Sequence, residues 1–166
     1  LTTGNDWTAR IWDIPAGKEL IRMSKHENLV LAGAFSPDGK NCLTAASDGT
    51  VILWDSRTAQ PLRRYDSHTV GARVVLTAGG VHEVGFLADG SRIYSADTSG
   101  AVRLWHPNLQ KETLRLTLHD MPRVVFDPRN RFFLTRTHEV RLWPTATEEE
   151  SHQWLTQQAL DRSRRL

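Results

Sequence analysis

Residues 47–62 read SDGTVILWDSRTAQPL. Asp48-Gly49 is a turn signal, because an Asp side chain bonds to nearby backbone and Gly accepts a positive φ. The apolar, β-branched run that follows is a short strand by composition and length, and it stops at Trp54-Asp55. A second turn then leads into another short strand, Gln60 to Tyr65. A buried-type strand that ends in a tryptophan and an acid is unusual enough to search for elsewhere in the chain.

Working outward, the same pattern recurs. Trp12, Trp54, Trp105 and Trp143 stand at intervals of 42, 51 and 38 residues. Each follows a large aliphatic residue (Ile11, Leu53, Leu104, Leu142), and three positions before each lies Ala9, Val51, Val102 or Val140. Arg10, Ile52, Arg103 and Arg141 fill the position between, so apolar and mostly polar positions alternate with the period of a strand. A second anchor lies upstream: Phe35, Phe86 and Phe126 open the turns FSPDGK, FLADGS and FDPRNR, at 19, 19 and 17 residues before their tryptophans. Nine residues after each Phe comes a hydroxyl residue, Thr44, Ser95 or Thr135. Segments Lys18–Met23, Gln60–Tyr65 and Glu112–Leu118 supply a fourth strand to three of the units. Four short antiparallel strands repeating every ~40–45 residues is the signature of propeller blades.

The chain resembles the WD40 repeats over residues 1 to about 145. His26–Asp55, HENLVLAGAFSPDGKNCLTAASDGTVILWD, matches the family pattern almost throughout. Trp12-Asp13 keeps the name-giving pair, while Trp105-His106 and Trp143-Pro144 do not. The resemblance implies an all-β fold, a WD40 β-propeller segment of about three and a half blades. The units expected are a partial blade over 1–24, a blade over 25–67, a blade over 68–118 with an insertion at 69–80, and a degenerate, incomplete blade over 119–147.

The resemblance also implies a buried hydrogen-bonded tetrad in each complete blade. In the second unit its members are His26, Thr44, Asp48 and Trp54. A buried indole brings an N–H that needs an acceptor, a hydroxyl can take it and pass a proton to an imidazole, and a carboxylate can fix the imidazole tautomer. On paper this resembles a catalytic triad, but a nucleophile must reach solvent and substrate, so a structural role is expected. Partial tetrads remain as Thr2, Asp6 and Trp12 in the first unit, Ser95 and Trp105 in the third, and Thr135 and Trp143 in the fourth. In the third, Ser99 replaces the acid.

Two stretches depart from the repeat. His68 to Val81 carries about ten extra residues between two blades, a partner-contacting lip or a neutral insertion. Residues 148–166 follow a capping-box pattern, Thr147 with Glu150, and place acids first and Arg162, Arg164 and Arg165 last, which predicts a C-terminal α-helix. The mid-pattern start at Leu1 and the absent last strand suggest a segment of a longer propeller, whose further blades would be its first partners.

Bulk properties set limits. Net charge is +2 over 166 residues, too small to argue for a nucleic-acid partner, so none is expected. The single cysteine, Cys42, forms no internal disulfide and reads as packing. No apolar run is long enough to span a membrane, and a cytoplasmic location is expected. Walker, HExxH, CxxC and GxSxG patterns are absent, so no catalytic residue, cofactor or metal is expected. His-Glu pairs at 26, 82 and 138 recur with a spacing unlike the repeat and read as coincidence.

Function then rests on the resemblance, which implies a non-enzymatic scaffold binding proteins or peptides through loops on one face. Asp6, Trp7, His68, Arg73, Asp97 and His138 are the candidate contacts. The SPDGK turn style resembles bacterial WD40 proteins. This carries an alternative, the sensor or substrate-docking region of a larger serine/threonine protein kinase.

Overall fold

The structure, a computed structural model, describes residues 1–66, 80–108, 111–118 and 121–144. Among these residues the chain is all-β, with fourteen strands in four antiparallel sheets. The first sheet holds β1 (Thr2–Thr3), β2 (Ala9–Asp13) and β3 (Lys18–Met23). The second holds β4 (Val30–Phe35), β5 (Asn41–Ala46), β6 (Val51–Asp55) and β7 (Pro61–Tyr65). The third holds β8 (Val81–Phe86), β9 (Ile93–Asp97), β10 (Ala101–Trp105) and β11 (Glu112–Thr117). The fourth holds β12 (Arg123–Phe126), β13 (Phe132–Arg136) and β14 (Val140–Pro144). Within each sheet, order in space follows order in sequence, so every connection is a hairpin.

Local chemistry fixes the hairpins. In the turn before β6, the Gly49 N–H donates to the Ala46 carbonyl at 3.1 Å, and Gly49 has φ 80°. Gly100 repeats this before β10, with its N–H on the Asp97 carbonyl at 3.2 Å and φ 96°. A β-carbon is costly in that left-handed region, which is why glycine follows the turn acid or hydroxyl. A pairing irregularity recurs at Ile11/Trp12, Leu53/Trp54 and Leu104/Trp105. Three sheets therefore carry a bulge at the tryptophan, where the outer strand's ladder shifts.

The sheets pack face to face. Ile52 and Trp54 of the second sheet meet Ala9 and Met23 of the first. Leu43, Val51, Leu53 and Tyr65 leave the other side of the second sheet to meet Val84, Ile93 and Trp105 of the third. Ala96, Val102 and Leu104 of the third meet Val124 and Phe133 of the fourth. First strands of neighbouring sheets lie together, β1 against β4 and β4 against β8. The burial pattern records this arrangement. Strand β6 is buried at four successive positions because both of its faces are covered. Strand β13 alternates exposed and buried because one face is covered by the third sheet.

The C-terminal helix expected over 148–166 lies outside the described residues, as does nearly all of the insertion at 69–80.

Candidate functional site

The second sheet and its first linker converge on one hydrogen-bonded chain. His26 comes from the β3–β4 linker, Thr44 from β5, Asp48 from the β5–β6 turn and Trp54 from β6. The Trp54 indole N–H donates to Thr44 Oγ1 at 2.8 Å. Thr44 Oγ1 lies 2.7 Å from His26 Nε2, and His26 Nδ1 lies 3.1 Å from Asp48 Oδ2. The proton positions follow from the donors. Thr44 accepts from Trp54 and so sends its own proton to Nε2, which leaves the imidazole proton on Nδ1, facing the carboxylate.

Two groups complete the site. Thr50 Oγ1 donates to Asp48 Oδ1 at 2.6 Å and its N–H donates to the same oxygen at 2.9 Å. The Glu27 N–H donates to Asp48 Oδ2 at 2.9 Å. Burial pushes the Asp48 carboxyl up, but the hydrogen bonds from His26, Thr50 and Glu27 outweigh it and hold it down at about 2. Thr44 is 0% exposed, so no substrate reaches its hydroxyl. The Thr–His–Asp order is that of a nucleophilic triad, yet the geometry serves to satisfy buried polar atoms.

The other sheets keep part of this arrangement. Trp12 donates to Thr2 at 2.8 Å, Trp105 to Ser95 at 3.0 Å and Trp143 to Thr135 at 2.9 Å. The tryptophan–hydroxyl bond is thus common to all four sheets. In the first, Asp6 accepts from Thr8 Oγ1 at 2.9 Å and is ion-paired with Arg10.

The third sheet is not without a turn acid. Asp97, two residues upstream of Ser99, accepts from the Ser99 N–H at 2.9 Å, from Ser99 Oγ at 2.6 Å and from the Ala101 N–H at 2.9 Å. The expectation that Ser99 simply replaces the acid is corrected: the carboxylate has moved to the end of β9, and Ser99 became its donor. Thr50 was not anticipated either. Its signal was the hydroxyl two residues after the turn acid in SDGT, repeated as Thr8 in NDWT.

Of the candidate contact residues, Asp6, Trp7 and His138 are exposed, Trp7 at 51%. Asp97 is buried at 2%, its carboxylate turned into its own turn, so solvent contact is closed to it. His68 and Arg73 lie outside the described residues. Trp7 has φ 67° and occupies the position that Gly49 and Gly100 take in the next two sheets. A bulky residue there is strained. Among the described residues no group of three or more His, Cys, Asp or Glu could hold a metal ion. No helix among them is long and apolar enough to cross a membrane.

The WD domain, G-beta repeat family matches residues 17–55. The chain is also similar to Protein HIR1 of Kluyveromyces lactis, 27% identical over 164 residues, covering 83% of this chain and 19% of that protein. The chain carries a WD40 repeat. The matched repeat runs from β3 through β6, so the sequence repeat is offset from the sheet by one strand. Further WD40 relatives include Coronin-7 of Rattus norvegicus, 39% identical over 79 residues (45% of this chain, 8% of that protein). Transducin-like enhancer protein 2 of Mus musculus is 28% identical over 126 residues (74% of this chain, 15% of that protein). The chain therefore spans a fifth or less of the length of these relatives. None of the three is bacterial or named as a kinase, so the bacterial type and the kinase-linked alternative gain no support from them.

Proposed function

We propose that this WD40 chain is a non-enzymatic protein-interaction scaffold that meets its partners through the turns preceding the third strand of each sheet. Within the units over 1–24, 25–67, 68–118 and 119–147, the four sheets form the rigid part. His26, Thr44, Asp48 and Trp54 tie the second unit together, and Thr2, Asp6, Trp12, Ser95, Trp105, Thr135 and Trp143 tie the others in part. The buried free thiol of Cys42 suits a reducing, cytoplasmic location.

The observation that carries this reading is Trp7. Two equivalent turns use glycine, which adopts the left-handed conformation freely. This turn holds an exposed tryptophan in the same conformation, at a cost of about 1–3 kcal/mol. Stability gains nothing from an indole in water, whereas an exposed, rigidly held tryptophan is the commonest kind of interface anchor. Asp6 and His138 are exposed turn residues that would add polar contacts.

Replacing Trp7 by Gly separates the two roles. The variant is expected to melt at the same temperature as the parent or higher, and to lose partners that the parent captures from its host extract, quantified by mass spectrometry. Unchanged capture with unchanged stability would remove Trp7 from the contact surface.

A further inference from the structure

A groove at the periphery of the second sheet is separate from both the buried tetrad and the turn face. Its cavity of about 630 Å³ is lined by Lys25, Glu27, Ile52, Leu62, Arg63 and Arg64. That volume is in the range that accepts several peptide side chains. Its floor comes from β6 and β7. Ile52 pairs with Arg64 across these strands, and Leu62, at the bulge where the ladder skips from Arg63 to Pro61, lines the same groove. The first sheet covers Ile52 but leaves Leu62 50% exposed.

Three features point to one kind of occupant. The lining carries three cations against one carboxylate. Among the described residues Lys25 has no carboxylate within ion-pair distance, and Arg64 Nε contacts the exposed Asp66 at 2.6 Å. Such an exposed pair is weak and exchanges partners cheaply. Finally, β7 is the outermost strand of its sheet, so one row of its backbone N–H and C=O groups faces outward without a ladder partner in that sheet. An added strand needs that edge, and the cations beside it repel a basic strand and attract an acidic one.

We propose that this groove binds an extended, acidic peptide segment of a partner protein. The segment adds to the edge of β7, sets an apolar side chain on the exposed Leu62, and places carboxylates against Lys25 and Arg64. The proposal rests on the reading of the chain as an interaction scaffold but uses a different surface from Trp7.

The test uses a synthetic peptide repeating Asp-Ser-Leu-Ser (the Asp-Leu peptide), which sets Asp and Leu in turn along one face of an added strand, followed by the methyl resonances of Leu62 and Ile52 and by fluorescence anisotropy. Control peptides carry Lys for Asp or Ser for Leu. Saturable binding that shifts both methyls is expected for the Asp-Leu peptide alone, with affinity falling as salt rises. Lys25→Glu/Arg64→Glu is expected to weaken it at least tenfold, and Leu62→Glu likewise. The milder pair Lys25→Gln/Arg64→Gln serves if the charge reversal disturbs the melt. Trp7→Gly is expected to leave it unchanged, which separates this site from the turn face. Absence of saturable binding, equal binding of the Lys peptide, or binding that these variants leave intact would each overturn the proposal.

Discussion

Thr44 has one oxygen and two neighbours to serve. It accepts from Trp54 and donates to His26, and it is wholly buried. Thr44→Val keeps the shape and removes both bonds, leaving an indole N–H and an imidazole nitrogen unsatisfied. A loss of about 1–3 kcal/mol for the unpaired groups is expected, read from urea denaturation at neutral pH. Asp48 sets the acid limit of the same chain. Its carboxyl is lowered from 3.8 to about 2 in the folded protein, so its contribution is complete above pH 4 and fades as pH falls toward 2. Asp48→Asn is accordingly expected to be less stable than the parent at pH 7. The difference should shrink through that window in a series of urea melts from pH 7 to pH 2. A constant difference would mean that the charge is not what matters at this position.

At the scale of the strand, Gly85 shows how tightly one element depends on another. It lies opposite Tyr94 across β8 and β9, and a β-carbon on it would sit 2.5 Å from the Tyr94 ring. That ring in turn packs against Phe126 of the next sheet, with centroids 4.8 Å apart and the rings tilted by 40°. Gly85→Ala is expected to destabilise by about 1–3 kcal/mol through overpacking, measured by thermal or urea melts. Much of the strand pattern was legible in sequence. The phenylalanines and tryptophans mark strand ends, because both must stop at turns whose residues are recognisable. The tryptophan–hydroxyl distance was readable from the fixed offset of Thr44, Ser95 and Thr135 behind their phenylalanines. Asp97 was not, because aligning turns on tryptophan hides a carboxylate displaced by two residues along β9. Nor was the left-handed Trp7, since a φ angle is invisible where the residue type argues against it.

Across the whole molecule, burial grades from the centre outward. The two middle sheets are covered on both faces, and their tryptophans are 1% and 3% exposed, whereas Trp12 of the first sheet is 37% exposed. The fourth sheet leaves Val125, Leu134, Val140 and Leu142 exposed, the last three at positions matching the buried Leu43, Val51 and Leu53 of the second sheet. Stacking order was implied by the repeat, since a blade needs neighbours to bury its faces. The gradient itself depends on which sheets have neighbours, and a repeat pattern does not state that. The central claim is that one bond, indole N–H to hydroxyl, is repeated in every sheet and shielded in proportion to the packing around it. Hydrogen exchange of the indole N–H groups, followed residue by residue in NMR spectra, reads that bond directly. Trp54 and Trp105 are expected to exchange slowest, Trp143 and Trp12 faster, and the exposed Trp7 fastest. A Trp54 indole that exchanges as quickly as that of Trp7 would contradict the account.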